Sequence, residues 1–280
     1  MKKMFALILA VLMVAALLAG CGSSTAETKA PETTAAPAAA ETTAAPAETE
    51  AAAAAFTTIE AGKLIMSTNA AFPPYEMVAD DGSFEGIDVE IAGAVAKKLG
   101  LELVVDDMDF DAALLAVQQE KSDIVMAGVT VNEDRKMVMN FSDTYSKGVQ
   151  VVIVKEGSDV TLDNLGDQMI GTQRGTTGYI YTSGDYGDDH VTAYDNGASA
   201  VQALMNGQVD CVVIDSAPAQ AFVEANPGLT ILDTEYTSED YAIGMSKDNT
   251  ALLEAVNGAL KELTEDGTIP AIVEKYIPTK

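Results

Sequence analysis

From residue 63 to residue 276 the chain alternates short apolar runs with stretches of helical spacing, and that alternation restricts it to an α/β fold with mostly parallel sheets. Residues 63–69, 101–105, 123–126, 150–154, 169–172, 191–193, 211–214, 229–232 and 241–245 read as strands. Ile87, Ile91, Ala92, Val95, Ala96 and Leu99 have helical spacing, and Lys97, Lys98 and Gly100 are stop signals. Asp111 is placed to cap a helix over 112–120, with Phe110 just before it. Further helices are expected at 199–206, 217–225, 252–263 and 272–276. In such sheets ligands sit outside the strand C-termini. Attention therefore falls on residues 67–69, 127–130, 173–177 and on Asp215.

The segment MAGVTVNEDR at 126–135 leaves a buried strand through Ala127 and Gly128, where backbone can approach a ligand closely. Thr130 adds a hydroxyl, and Asn132 suits the N-cap of a short helix. Arg135 then falls in the first turn, where the helix dipole favours acids and not a cation. Its forked guanidinium suits two-point capture of a carboxylate, or an ordinary surface ion pair.

Residues 175–178, GTTG, follow a strand and open a helix, so free N–H groups at Thr176 and Thr177 offer an anion site. The Lys-Ser/Thr of a phosphate loop is missing, so a carboxylate fits better; a plain capped turn is the alternative. Asp215 ends a buried strand, where it can fix an ammonium group or cap the next helix. Phe72 and Phe110 follow strand ends and can sandwich a small ligand or fill core. Together, one Arg, one helix N-terminus, one Asp and two aromatics describe a site for a zwitterion. No residue has the setting of an activated nucleophile.

The two ends of the chain differ in kind. Lys2 and Lys3 precede an apolar run too short to span a bilayer, the pattern of an export signal over residues 1–20. The run ends in LAGC, which resembles a lipobox with Cys21 as the lipidated residue, several acyl chains then giving a stable anchor. Residues 21–57 are mostly Ala, Thr, Glu and Pro and read as a disordered tether. Removing residues 1–20 moves the formal charge from −27 to −29, which excludes nucleic acid as a partner. Cys211, in an apolar run, reads as a buried small hydrophobe, and His190 is the one histidine, so a histidine-rich metal site is excluded.

Several motifs together resemble the family-3 bacterial extracellular solute-binding proteins, the polar amino-acid receptors of ABC importers. They are FPPYE at 72–76, GIDVEIA at 86–92, MDF at 108–110, AGVTVNEDR at 127–135, FSDTY at 141–145, GTT at 175–177 and Asp215. The resemblance implies a two-lobed periplasmic-binding-protein-like clamshell of type II, each lobe a mixed sheet flanked by helices, joined by two crossing segments. Lobe 1 is then 58–147 plus 240–280, and lobe 2 is 148–239. It also implies roles. Arg135 takes the ligand carboxylate with the backbone at Thr130 and Thr177. Asp215 takes the α-amino group with groups at Gly128 and Thr130. Phe72 and Phe110 flank the side chain. The implied partners are an amino acid, a permease and ATPase complex, and the membrane through the lipid anchor on the extracytoplasmic face. A monomer without cofactor or metal is expected.

For specificity, Asn69 stands where receptors for basic amino acids commonly carry an acid. Gln173 and Ile214 stand where glutamine receptors commonly carry Lys and His. The pocket is thus expected to be polar and uncharged apart from Arg135 and Asp215. A neutral polar amino acid, such as glutamine or a cystine-like one, is the expected ligand. The alternatives are an exported dehydratase-like enzyme of the same fold, which lacks a spare carboxylate at a strand end here, and a ligand-sensing partner of a membrane receptor.

Overall fold

A computed structural model describes residues 56–233 and 235–278. The segments expected to be an export signal, a lipidation site at Cys21 and a tether lie, up to residue 55, outside the described residues. Phe56 and Thr57, at the end of the expected tether, already touch the folded unit. Phe56 packs on the first core cluster, and the Thr57 carbonyl accepts from Asn249 Nδ2 at 3.0 Å. No helix among the described residues is long and apolar enough to cross a membrane.

The chain opens with β1 (Lys63–Thr68), followed by a small antiparallel sheet of β2 (Ala71–Phe72), β3 (Glu76–Val78) and β4 (Phe84–Glu85). Pro73 and Pro74, joined by a cis peptide bond, stand between β2 and β3. Then come α1 (Ile87–Lys98), β5 (Glu102–Asp107), α2 (Phe110–Gln118), β6 (Ile124–Val125) and α3 (Glu133–Val138). The long β7 (Met139–Lys155) leads into β8 (Ile170–Gln173), α4 (Thr177–Tyr186), β9 (Val191–Tyr194) and α5 (Gly197–Met205). β10 (Cys211–Asp215), α6 (Ser216–Ala225), β11 (Leu229–Ile231) and β12 (Thr237–Ser246) follow, and α7 (Thr250–Glu265) and α8 (Thr268–Tyr276) close the chain.

One nine-stranded sheet results, in the order β5-β1-β6-β12-β7-β10-β8-β9, with β11 added on β7. The sheet is mixed, as the family resemblance implies, and less parallel than the strand–helix alternation alone suggests. β1 is parallel to β5 and β6, and β8 to β9 and β10, but β7 and β12 pair antiparallel with each other and with their neighbours. The long strands β7 and β12 carry the chain between two groups of core residues. On one side Leu64, Met66, Ile91, Ile124, Ile243 and Val256 cluster, and on the other Val151, Ile153, Leu204, Val212 and Ile214 do.

The period of two explains the apolar runs. Val212 and Ile214 enter one cluster while Cys211 and Val213 enter another on the opposite face. Both faces of β10 are covered, so its sequence is continuously apolar and not alternating. Cys211 is the buried hydrophobe expected, and burial pushes its thiol up to about 12. The polar residues of these strands gather at their C-terminal ends: Asn69 after β1, Gln173 at the end of β8 and Asp215 at the end of β10.

One helix start differs from its reading. Phe110 is the first residue of α2 and Asp109 its N-cap, so Asp111 lies in the first turn and does not cap. The cap sits at the last residue before the Phe110 ring turns inward to the core, where Phe110 is 5% exposed.

Candidate functional site

A cleft of about 430 Å³, its open mouth included, lies where the strand ends meet. All eleven residues singled out as ligand contacts line it: Asn69, Phe72, Phe110, Ala127, Gly128, Thr130, Arg135, Gln173, Thr176, Thr177 and Asp215. Ile214, noted for specificity, lines it as well, and four residues not anticipated as contacts join them: Glu76, Gln150, Val213 and Tyr241.

Asn132 caps α3, its Oδ1 accepting from the Arg135 N–H at 2.8 Å. This cap fixes the turn that points the Arg135 side chain inward, leaving it 7% exposed. Nη1 donates to the Thr130 carbonyl at 2.8 Å and Nη2 to the Gly175 carbonyl at 3.2 Å. The guanidinium carbon stands 5.3 Å from the Phe110 ring centroid, a cation–π contact. Both oxygens named are neutral carbonyls, and a guanidinium has five N–H donors, so capacity for an anion remains. Burial lowers the guanidinium's pKa, and the charge of Glu239 opposes that shift.

Thr176 caps α4. Its hydroxyl accepts from Tyr179 N at 3.4 Å and donates to the Gln173 carbonyl at 2.8 Å. The first N–H groups of a helix have no acceptor within it, so this end attracts negative charge. Thr177 Oγ1 stands 3.4 Å from Thr130 Oγ1 across the cleft.

Asp215 is both a cap and a cleft residue. Oδ1 accepts from Ala217 N at 3.0 Å, and Oδ2 from Val149 N at 2.8 Å. Burial pushes its carboxyl up to about 6, against the N–H groups of Ala217 and Val149 and the hydroxyl of Tyr241. Gly148 makes room for this arrangement, since a Cβ there would stand 2.5 Å from the Tyr241 hydroxyl and 2.7 Å from Asp215 Oδ2.

The aromatic wall extends beyond Phe72. Its ring stacks with Tyr75 at 5.9 Å, and Tyr75 meets Tyr241 edge-on at 5.3 Å. Gly128 has φ 55°, and a Cβ there would stand 2.9 Å from the Phe72 ring, so a glycine is required on both counts.

Two further carboxyls stand in or beside the cleft besides Asp215, Glu76 in its lining and Glu239 just behind it. Glu76 lines the cleft and is fully buried, with no hydrogen-bond partner for either oxygen. Burial first, then the neighbouring Asp88, holds its pKa well above the usual carboxylate range. Asp88 accepts from Gly128 N at 2.9 Å, and burial raises it to about 6 against that bond. Glu239 is the second, on β12 and 6% exposed. Its Oε2 accepts from Thr130 Oγ1 at 3.0 Å and from Gln150 Nε2 at 2.9 Å. The sequence signals for these residues are slight: Glu76 within the FPPYE motif, and Gln150 as a polar opening to a β-branched run.

The model for bacterial extracellular solute-binding proteins, family 3, matches residues 64–279. The chain belongs to that family. The L-cystine-binding protein TcyJ of Escherichia coli (strain K12) is 30% identical over 221 residues, covering 78% of this chain and 83% of TcyJ. An ancestral arginine-binding protein solved with arginine is 40% identical with a TM-score of 0.73, covering 77% of this chain and 98% of that one. A structure of an ancestral arginine-binding protein bound to glutamine is 38% identical with a TM-score of 0.74, covering 78% and 99%. The fold is the two-lobed α/β clamshell of these binding proteins, and relatives of this chain bind amino acids for ABC transport.

Proposed function

We propose that this chain is the extracellular binding component of an ABC importer and captures a free α-amino acid with a polar side chain. One observation carries the reading: a buried guanidinium, the N-terminal turn of α4 and a buried aspartate line a single cleft. Arg135 and the first N–H groups of α4 take the α-carboxylate. Asp215 takes the α-ammonium, with Thr130 and Gly128 beside it. Phe72 and Phe110 enclose the aliphatic part of the side chain, over Ala127, and Asn69, Gln173 and Thr176 contribute polar contacts.

The side chain of the ligand is read from Glu76. A buried carboxyl without partners is costly, and a guanidinium or ammonium tip would satisfy both oxygens. This favours a basic amino acid, in keeping with the arginine-binding relatives. A neutral polar ligand such as glutamine or a cystine-like one is the second reading, supported by the amides of Asn69 and Gln173 in the cleft lining.

In this account lobe 1 (58–147 and 240–280) and lobe 2 (148–239) close on the ligand, because Arg135 and Asp215 come from different lobes. Cys21 anchors the chain to the extracytoplasmic face of the membrane, with 21–57 as tether. A thermal-shift panel over the common amino acids tests the reading. A true ligand at a hundred times its dissociation constant adds about 2.7 kcal/mol of stability, and no shift with any of them contradicts it.

A further inference from the structure

The charged residue of this site that the amino-acid reading leaves without a task is Glu239. It stands on β12, opposite Gly148 of β7, where these two strands carry the chain between the two core groups. It is buried, and its Oε1 has no hydrogen-bond partner. Its Oε2 takes two donors, the hydroxyl of Thr130 at 3.0 Å and the amide of Gln150 at 2.9 Å. Thr130 in turn lines the cleft and offers its own carbonyl to Arg135. Glu239 is thus one bond away from the cleft, through a hydroxyl that faces it.

We propose that Glu239 is a positioning residue for recognition of the ligand's α-ammonium group, acting by fixing the Thr130 hydroxyl as a hydrogen-bond acceptor. The inference rests on the amino-acid reading of the cleft. A threonine hydroxyl has one hydrogen and two lone pairs, and a carboxylate has no hydrogen to give. With the Thr130 hydrogen committed to Glu239, the oxygen offers only lone pairs to whatever enters the cleft. Thr177 Oγ1, at 3.4 Å, is placed to donate to one of them. The other suits an N–H donor and rejects a second acceptor. An ammonium group fits this polarity, and a carboxylate oxygen or a carbonyl at the same place does not. Gln150, itself a lining residue of the cleft, donates to the same Oε2 and helps to hold the carboxylate beside Thr130. The negative charge beyond the hydroxyl strengthens its pull on a cation.

The test compares an amino acid with the same molecule lacking its α-amino group, by calorimetric titration of the mature chain. The probe pairs are L-arginine with 5-guanidinopentanoic acid, and L-glutamine with glutaramic acid. The pair whose amino acid the wild type binds more tightly is used. In wild type the amino acid binds far better than its deaminated analogue. In Glu239→Gln the amide can donate to Thr130 and free its hydrogen, so that preference falls by about tenfold while the affinity for the analogue itself is nearly unchanged. Glu239→Asp, which keeps the charge but draws it back from Thr130, loses the preference likewise. In a Thr130→Val background neither substitution lowers the preference further. Equal weakening of both probes, with the preference intact, overturns the proposal and leaves Glu239 a structural residue. If wild type binds neither amino acid, the amino-acid reading itself falls, and the inference with it.

Discussion

Gln173 Nε2 donates to Asn69 Oδ1 at 2.9 Å, joining the end of β8 to the end of β1 across the cleft. Asn69 is held in turn by its Nδ2, which donates to the Met108 carbonyl at 2.9 Å. These two amides therefore brace the walls of the cleft. Gln173→Ala strands a buried acceptor on Asn69, and the expected cost is about 1–3 kcal/mol. Urea unfolding of the purified chain measures it, and an unchanged midpoint contradicts the bracing role.

Arg135 is a buried cation facing carbonyl oxygens and the Phe110 ring. Arg135→Ala removes both charge-assisted bonds to a carboxylate, each worth about 1.5–3 kcal/mol, so affinity is expected to fall by about a hundredfold or more. Circular dichroism of the variant should match wild type. Arg135→Lys restores the charge but not the fork, and is expected to recover only part of the affinity.

Two pH effects of opposite sense follow from the buried acids. Asp215 has its carboxyl raised to about 6, and an ammonium ligand needs the ionised form. Affinity is expected to rise as pH climbs from about 5 to about 7.5, approaching tenfold per unit below about 6. Asp88 affects stability the other way. Its carboxyl is raised in the folded chain, so the folded state binds protons more tightly than the unfolded one. The resulting stability is fully present below the unfolded value near 4 and is lost as pH rises through about 6, roughly 3 kcal/mol in all. Asp215, raised to the same degree, and Glu76, raised as well, add to this slope in thermal melts from about pH 4 to about pH 7, and Asp88→Asn should remove only the share that Asp88 contributes.

Gly148 tests how closely the crossing strands are fitted to the site. A methyl group on its Cα would stand 2.5 Å from the Tyr241 ring and 2.7 Å from Asp215 Oδ2. Gly148→Ala must displace one of them, at a cost of about 1–3 kcal/mol in stability and with weaker ligand binding. Retained stability and affinity in that variant contradict the packing described.

Much of this cleft is legible in the sequence, because polar residues at the ends of apolar runs mark where strands of an α/β sheet stop. Asn69, Thr130, Gln173 and Asp215 are found in that way, and the Asn132 cap follows from its residue type. The strand over 139–149 is not, because residues such as Ser142, Asp143, Ser146 and Lys147 break the apolar pattern, and register shifts occur at Tyr241–Ala242 and Ala242–Gly244 of its partner. Glu76 and Glu239 escape for another reason. A glutamate carries no mark of burial in the sequence, and the contact that gives Glu239 its place, with Thr130, spans 109 residues. The start of α2 is ambiguous because Asp109 and Asp111 are equivalent cap residues, which only the packing of Phe110 separates.

The central claim is that one molecule spans Arg135 and Asp215 with the two charged groups of an α-amino acid. Calorimetric titration of the mature chain with L-arginine and with agmatine, which lacks only the α-carboxylate, tests it most directly, with L-glutamine and 4-aminobutanamide as the neutral pair. The account predicts saturable binding of the amino acid and binding of its decarboxylated partner weaker by about a hundredfold or more. Equal binding of the two would place the carboxylate outside the recognised group and contradict the account.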